Sequence, residues 1–210
     1  MRTRVKICGF TRPEDAAVAA RLGADAIGLV FYPPSSRHVD IDRAVAICRV
    51  LPAFVTVVGL FVDEARERAA QVMDRVPLDL LQFHGDEPAD YCRSFARPYI
   101  KAVRMAAGTD LANLAKAYGD ARGLLLDADD AKAKGGTGSR FDWALVPKRC
   151  ELPVILAGGL QPDNVAAALG RVRPYGVDVS SGVESAKGIK DHNKMAAFLN
   201  DVYRFDHGQP

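Results

Sequence analysis

Val5-Lys6-Ile7-Cys8-Gly9 is a short apolar run that ends on a cysteine, and Thr11-Arg12-Pro13-Glu14 follows at once. The first stretch reads as a buried strand. The second reads as a helix start, with Thr11 as cap, Pro13 early in the helix and an acid in the first turn. Gly23 then stops that helix. The same alternation runs on along the chain. Further strands are expected at 26–31, 54–62, 78–83, 99–103, 123–126, 153–157 and 177–180. Helices are expected at 41–50, 64–75 behind an Asp63 cap, 88–95, 111–118, 162–169 and 190–203, with a short one at 141–147. The strand runs are continuously apolar, as in a parallel sheet covered by helices on its outside. Eight such units predict a single-domain (β/α)8 TIM barrel over residues 1–210, in which strand C-termini meet at one mouth.

Bulk composition narrows the function classes. The chain has 210 residues, 49% hydrophobic and 26% charged, ordinary for a globular α/β protein. A net charge of +2 gives no reason to expect nucleic acid or an anionic membrane as partner. No apolar run approaches the ~20 residues of a membrane span, and no cationic-then-apolar leader is seen, so a cytoplasmic protein is expected. Cys8, Cys48, Cys92 and Cys150 lack CxxC spacing and read as reduced thiols. His38, His84, His192 and His207 form no ligand-spaced cluster, so no metal is expected. With no long apolar stripe left over, a monomer is the default, and a dimer is possible.

Chemistry concentrates at strand ends. Cys8 ends the first strand, and Leu124-Leu125-Leu126-Asp127 ends the sixth in an acid. A thiolate facing a carboxylic acid can move protons on a sugar phosphate without a cofactor. Cys8 could also be a buried small hydrophobe, the reading that suits Cys48, Cys92 and Cys150. Gly9 and a helix start follow it directly, which places its sulfur at the mouth. A thiolate needs positive charge nearby, and Lys6, two residues earlier, shares its side of the strand. Asp127 could merely cap a loop, with Asp129 and Asp130 close behind it. To act as a general acid it must hold its proton, which partial burial and a facing thiolate favour. Gly158-Gly159 and Asp178-Val179-Ser180-Ser181-Gly182 end the seventh and eighth strands. Either alone is a turn. Together they suit a phosphate, which barrels frequently hold between these two loops. Arg37, after the stiff Pro33-Pro34-Ser35-Ser36 loop, is a surface charge or a fork for a carboxylate. His84 reads as pocket wall without a catalytic role. The segment 129–140, with Gly135-Gly136-Thr137-Gly138, reads as a mobile lid.

Several motifs, in order, resemble phosphoribosylanthranilate isomerase. They are Lys6-Ile7-Cys8-Gly9, Gly28-Leu29-Val30-Phe31 with Ser35-Ser36-Arg37, Val58-Gly59-Leu60-Phe61, Leu81-Gln82-Phe83-His84-Gly85, Gly135-Gly136-Thr137-Gly138, Leu156-Ala157-Gly158-Gly159-Leu160 and Asp178-Val179-Ser180-Ser181-Gly182-Val183-Glu184. The resemblance implies the Amadori rearrangement of N-(5-phosphoribosyl)anthranilate to 1-(2-carboxyphenylamino)-1-deoxyribulose 5-phosphate in tryptophan biosynthesis. It also implies Cys8 as general base and Asp127 as general acid, with no cofactor. The histidine-pathway isomerase that runs the same rearrangement places an aspartate where this chain has Cys8. Indole-glycerol-phosphate synthase would need more strand-end lysines than Lys6 and Lys101. A non-catalytic phosphate-binding barrel would have no use for Cys8, Asp127 and Arg37 together.

Overall fold

A computed structural model describes residues 2–128 and 142–208. The expected lid, the Gly135–Gly138 motif and the start of the short helix at 141 lie outside the described residues. Eight parallel strands close a barrel in chain order. They are β1 (Arg4–Cys8), β2 (Ala26–Val30), β3 (Thr56–Phe61), β4 (Leu80–Phe83), β5 (Tyr99–Met105), β6 (Leu124–Ala128), β7 (Val154–Leu156) and β8 (Gly176–Val179). β8 pairs with β1 in the register Lys6 to Asp178 and Ile7 to Val179, which closes the ring. Side chains alternate across each strand. Ile7, Ile27, Leu29, Phe61, Leu81, Phe83, Val177 and Val179 point outward into the main core beneath the helices. Ile100, Ala102, Leu125 and Ala157 fill the interior. Outside β2–β4 a run of rings anchors the sheet. Phe31 stacks on Phe61 at 5.4 Å, and Phe83 meets Tyr91, Phe95 and Tyr99, each at 5.7 Å. Each pair contributes about 0.5–1.5 kcal/mol beyond its burial, and Phe83 leads straight into His84.

The helices are α1 (Pro13–Arg21), α2 (Ile41–Cys48), α3 (Arg66–Arg75), α4 (Ala89–Arg93), α5 (Leu111–Ala117), α6 (Pro162–Val172) and α7 (His192–Asp206). Two helix starts differ from expectation because the expected caps are used elsewhere. Thr11 donates its hydroxyl to the Gly188 carbonyl at 2.5 Å, so α1 begins from Arg12 with Pro13 at its first position. Asp63 accepts the Asp86 N–H at 2.5 Å, joining two loops, and α3 starts three residues later than Asp63. Before β7 the described residues hold only a 3-10 turn, Trp143–Leu145. The chain also adds an antiparallel pair the sequence did not suggest, β9 (Glu184–Ala186) with β10 (Ile189–Lys190), before α7. Asp191 caps α7 by accepting from the N–H groups of Asn193 and Lys194. Among the described residues, no helix is long and apolar enough to cross a membrane.

Candidate active site

Strand alternation turns the C-terminal residues of β1, β4, β6 and β8 into one mouth. Cys8 is the last residue of β1 and is buried. Lys6, two residues earlier, shares its face, and its ammonium lies against both the Cys8 sulfur and Asp178. The Nζ to Asp178 Oδ1 distance is 2.9 Å. Burial alone would lower the Lys6 pKa, but Asp178 and Cys8 beside it outweigh that, and Lys6 stays a cation. The thiol itself is pushed above its ordinary range by burial, with Lys6 pulling the other way. Asp178 is therefore the counterion of Lys6 rather than a group facing phosphate, where its charge would repel.

Asp127 falls inside β6, since the strand runs one residue past it to Ala128. Its two oxygens are both held. Oδ1 accepts the Ala128 N–H at 2.9 Å, and Oδ2 is 3.2 Å from Nε2 of His84. The other ring nitrogen of His84, Nδ1, is 2.9 Å from the Gln82 side-chain nitrogen. His84 is thus in contact with the candidate acid, not only a wall of the pocket. Gln82, fully buried on the same face, was missed as a site residue. The spacing of two from His84 on a strand was the available signal.

The two expected phosphate loops lie side by side. Gly158 and Gly159 adopt φ of +78° and +63°, the left-handed region that favours glycine. Asn164 ties their loop to α6 by accepting the Gln161 N–H and donating to the Gly159 carbonyl, both at 3.0 Å. Gly182 packs so closely on the Leu160 carbonyl that a β-carbon would collide with it. Gly158, Gly159, Ser180, Ser181 and Gly182 remain partly exposed around this seam. The Ser180 hydroxyl donates to the Cys8 carbonyl at 3.0 Å, which links the seam to the thiol strand.

Arg37 is not a free surface charge. It is buried, and its Nε and Nη2 each reach a Glu184 carboxylate oxygen at 2.8 Å. Lys190 donates to Glu184 Oε1 at 2.8 Å and to the Cys8 carbonyl at 2.6 Å. Neither Glu184 nor Lys190 was expected at the site, because both fall on the unforeseen hairpin. Cys48 and Cys150 are half-buried on the periphery. Cys92 is buried in α4 with its thiol raised to about 12, chiefly by burial.

A family model described as N-(5'-phosphoribosyl)anthranilate isomerase matches residues 5–201. The chain belongs to the phosphoribosylanthranilate isomerase family. It is therefore an isomerase of tryptophan biosynthesis. The enzyme of that name from Nitrosococcus oceani is 59% identical over 202 residues, covering 96% of this chain and 98% of its own. That from Pseudomonas aeruginosa is 57% identical over 199 residues, covering 95% and 94%. Among solved structures, the Thermotoga maritima isomerase superposes with a TM-score of 0.85 at 40% identity, covering 96% of this chain and 98% of its own. A phosphoribosylanthranilate isomerase complexed with reduced 1-(o-carboxyphenylamino)-1-deoxyribulose 5-phosphate superposes at 0.82 and 40% identity, with the same coverage. The barrel and its outer helices are those of this family.

Proposed function

We propose that Cys8 is the general base and Asp127 the general acid of the Amadori rearrangement of N-(5-phosphoribosyl)anthranilate. Asp127 protonates the furanose oxygen, and the ring opens to a Schiff base. Cys8 thiolate takes the proton from ribose carbon 2, leaving an enolamine. The enolamine loses its hydroxyl proton and gains one at carbon 1, giving the ketone 1-(2-carboxyphenylamino)-1-deoxyribulose 5-phosphate. A raised thiol pKa costs thiolate population but makes each thiolate a stronger base. Gly159, Ser180, Ser181 and Gly182 hold the phosphate, and Arg37 holds the anthranilate carboxylate. Binding at the two ends stretches the substrate across the mouth and sets the reacting carbons between acid and base. No step needs a cofactor or metal.

The observation that carries this reading is the Lys6 ammonium, held by Asp178 against the Cys8 sulfur. Of the four cysteines, Cys8 alone ends a barrel strand, and its cation stands on the same face of that strand. The test is turnover of Cys8→Ala and Asp127→Asn, with substrate generated in situ. Each positioned acid or base supplies ~10²–10⁴-fold, so each variant should lose that much kcat while still folding and binding a product analogue. Near-native kcat in either folded variant would sink its assignment.

A further inference from the structure

The hairpin β9–β10 brings two buried charges to the mouth that the reaction above does not use. Glu184 is 8% exposed and Lys190 only 2%. An unpaired charge at such depth is costly, so their partners are informative. Lys190 spends its three ammonium protons on Glu184 Oε1, the Cys8 carbonyl and the Ser180 carbonyl, at 2.8, 2.6 and 3.1 Å. Burial would raise the Glu184 carboxyl, yet the hydrogen bonds from Arg37 and the charge of Lys190 hold it below its ordinary range. Glu184 is therefore an anion shared by two cations.

The geometry at Arg37 is specific. A guanidinium has five N–H donors. Glu184 engages the edge formed by Nε and Nη2. Nη1 has no hydrogen-bond partner among the described residues, so the outer edge formed by Nη1 and Nη2 is left over. That edge has the same two-pronged shape and fits a second carboxylate. The stem of Arg37 crosses Gly9, where a β-carbon would collide with it, so the guanidinium is carried beside Cys8.

We propose that Glu184 is a positioning residue for substrate recognition. It locks the Arg37 guanidinium so that the outer edge meets the anthranilate carboxylate. Lys190, by sharing Glu184 and pinning the Cys8 carbonyl, fixes this reader relative to the base. The proposal rests on the reading of Arg37 given above. It assigns the hairpin a task in selecting the aryl acid, beyond closing the end of the barrel.

Two variants test it. Glu184→Gln keeps the shape and removes the charge. Glu184→Asp keeps the charge and withdraws the carboxylate by one methylene, so the fold is spared if the first variant fails. Each is assayed with the natural substrate and with the analogue built on aniline, which lacks the carboxylate. KM for the natural substrate should rise about tenfold or more, the scale of one charge-assisted contact. KM for the analogue should move less than about twofold, and kcat for the analogue should change little, while kcat for the natural substrate falls if the aryl end is held less firmly. In an Arg37→Ala background, Glu184→Gln should add nothing further to KM. An equal rise for both substrates in folded Glu184→Asp would make Glu184 a general support and overturn the proposal. Unchanged KM in the Glu184 variants, alongside a raised KM in Arg37→Ala, would overturn the clamp and leave the Arg37 reading intact. If Arg37→Ala still prefers the natural substrate as the native enzyme does, the Arg37 reading falls and the clamp falls with it.

Discussion

The carboxylate of Asp127 leans on the ring of His84, with Oδ2 3.2 Å from Nε2. Gln82 sits behind the ring, its amide nitrogen 2.9 Å from Nδ1. When that amide donates, Nδ1 must accept, and the neutral ring carries its proton on Nε2, aimed at Asp127. The three side chains form a brace that fixes one oxygen of Asp127.

His84→Ala should therefore lower kcat about tenfold, the value of one hydrogen bond to a charged group, while leaving KM near native. Steady-state assays with the phosphate and carboxylate contacts intact read this directly. A kcat equal to native would return His84 to the role of pocket wall.

The titration of the proposed base follows from its surroundings. Burial raises the Cys8 thiol above its ordinary range. Read by thiolate absorbance against a Cys8→Ala control, Cys8 should accordingly ionise above about 8.5, the ordinary thiol value. Lys6 pulls the thiol down, so Lys6→Met should move that titration to still higher pH. Pairing that change with Asp178→Asn avoids leaving a buried carboxylate without its cation. A titration displaced to lower pH in the double variant would contradict the role given to Lys6. Cys48→Ala should leave the Cys8 titration unchanged, because Cys48 ends α2 outside the barrel.

Gly158 links the loop proposed for phosphate to Asp127, the proposed acid. A β-carbon there would come within 2.7 Å of the Ala128 nitrogen and 3.1 Å of Asp127 Oδ1, in a left-handed backbone. Gly158→Ala should depress kcat more than it weakens competitive inhibition by inorganic phosphate. Loss of phosphate inhibition with native kcat would show that the loop does not press on the acid.

Acid stability should report on Asp15, a fully buried carboxylate that staples three elements. It accepts from Arg12 at 2.8 and 2.9 Å, from the Lys190 N–H at 3.1 Å, and lies 2.9 Å from His192 Nε2. Burial would raise its pKa, but these donors outweigh it and hold it low. A lowered carboxylate stabilises the fold above its unfolded value, about 3.9, and that contribution is lost as pH falls through the folded value. Asp15→Asn should cost about 1.5–3 kcal/mol in urea unfolding at pH 7, and less near pH 3. An equal cost at both pH values would show that the carboxylate charge is not what stabilises.

The eight strands were legible because each is a local apolar run followed by a helix signal. The gathering of Cys8, Asp127, Gly158-Gly159 and Ser180-Ser181-Gly182 at one end of the barrel was legible for the same reason, since strand ends in a barrel are places that chain order alone predicts. What escaped depends on partners far away in sequence. Arg37 looks like a solvated arginine until Glu184, 147 residues on, is seen against it. His84 meets Asp127 across 43 residues. β9 and β10 have three and two residues, too few to show a strand's alternation. Asp63 carried a convincing cap signal, but a neighbouring loop claimed its carboxylate first.

The pairing of β8 with β1 also sets a timetable. Cys8 is synthesised first, and Lys190, which grips its carbonyl, is added 182 positions later. At ~5–20 residues per second a ribosome needs on the order of ten seconds or more for that interval. Until β8 is made, the edge of the first strand that β8 covers is open to pairing with another chain. The nascent enzyme is blind to its substrate until the ring closes, and maturation of the site and protection of that edge are a single event.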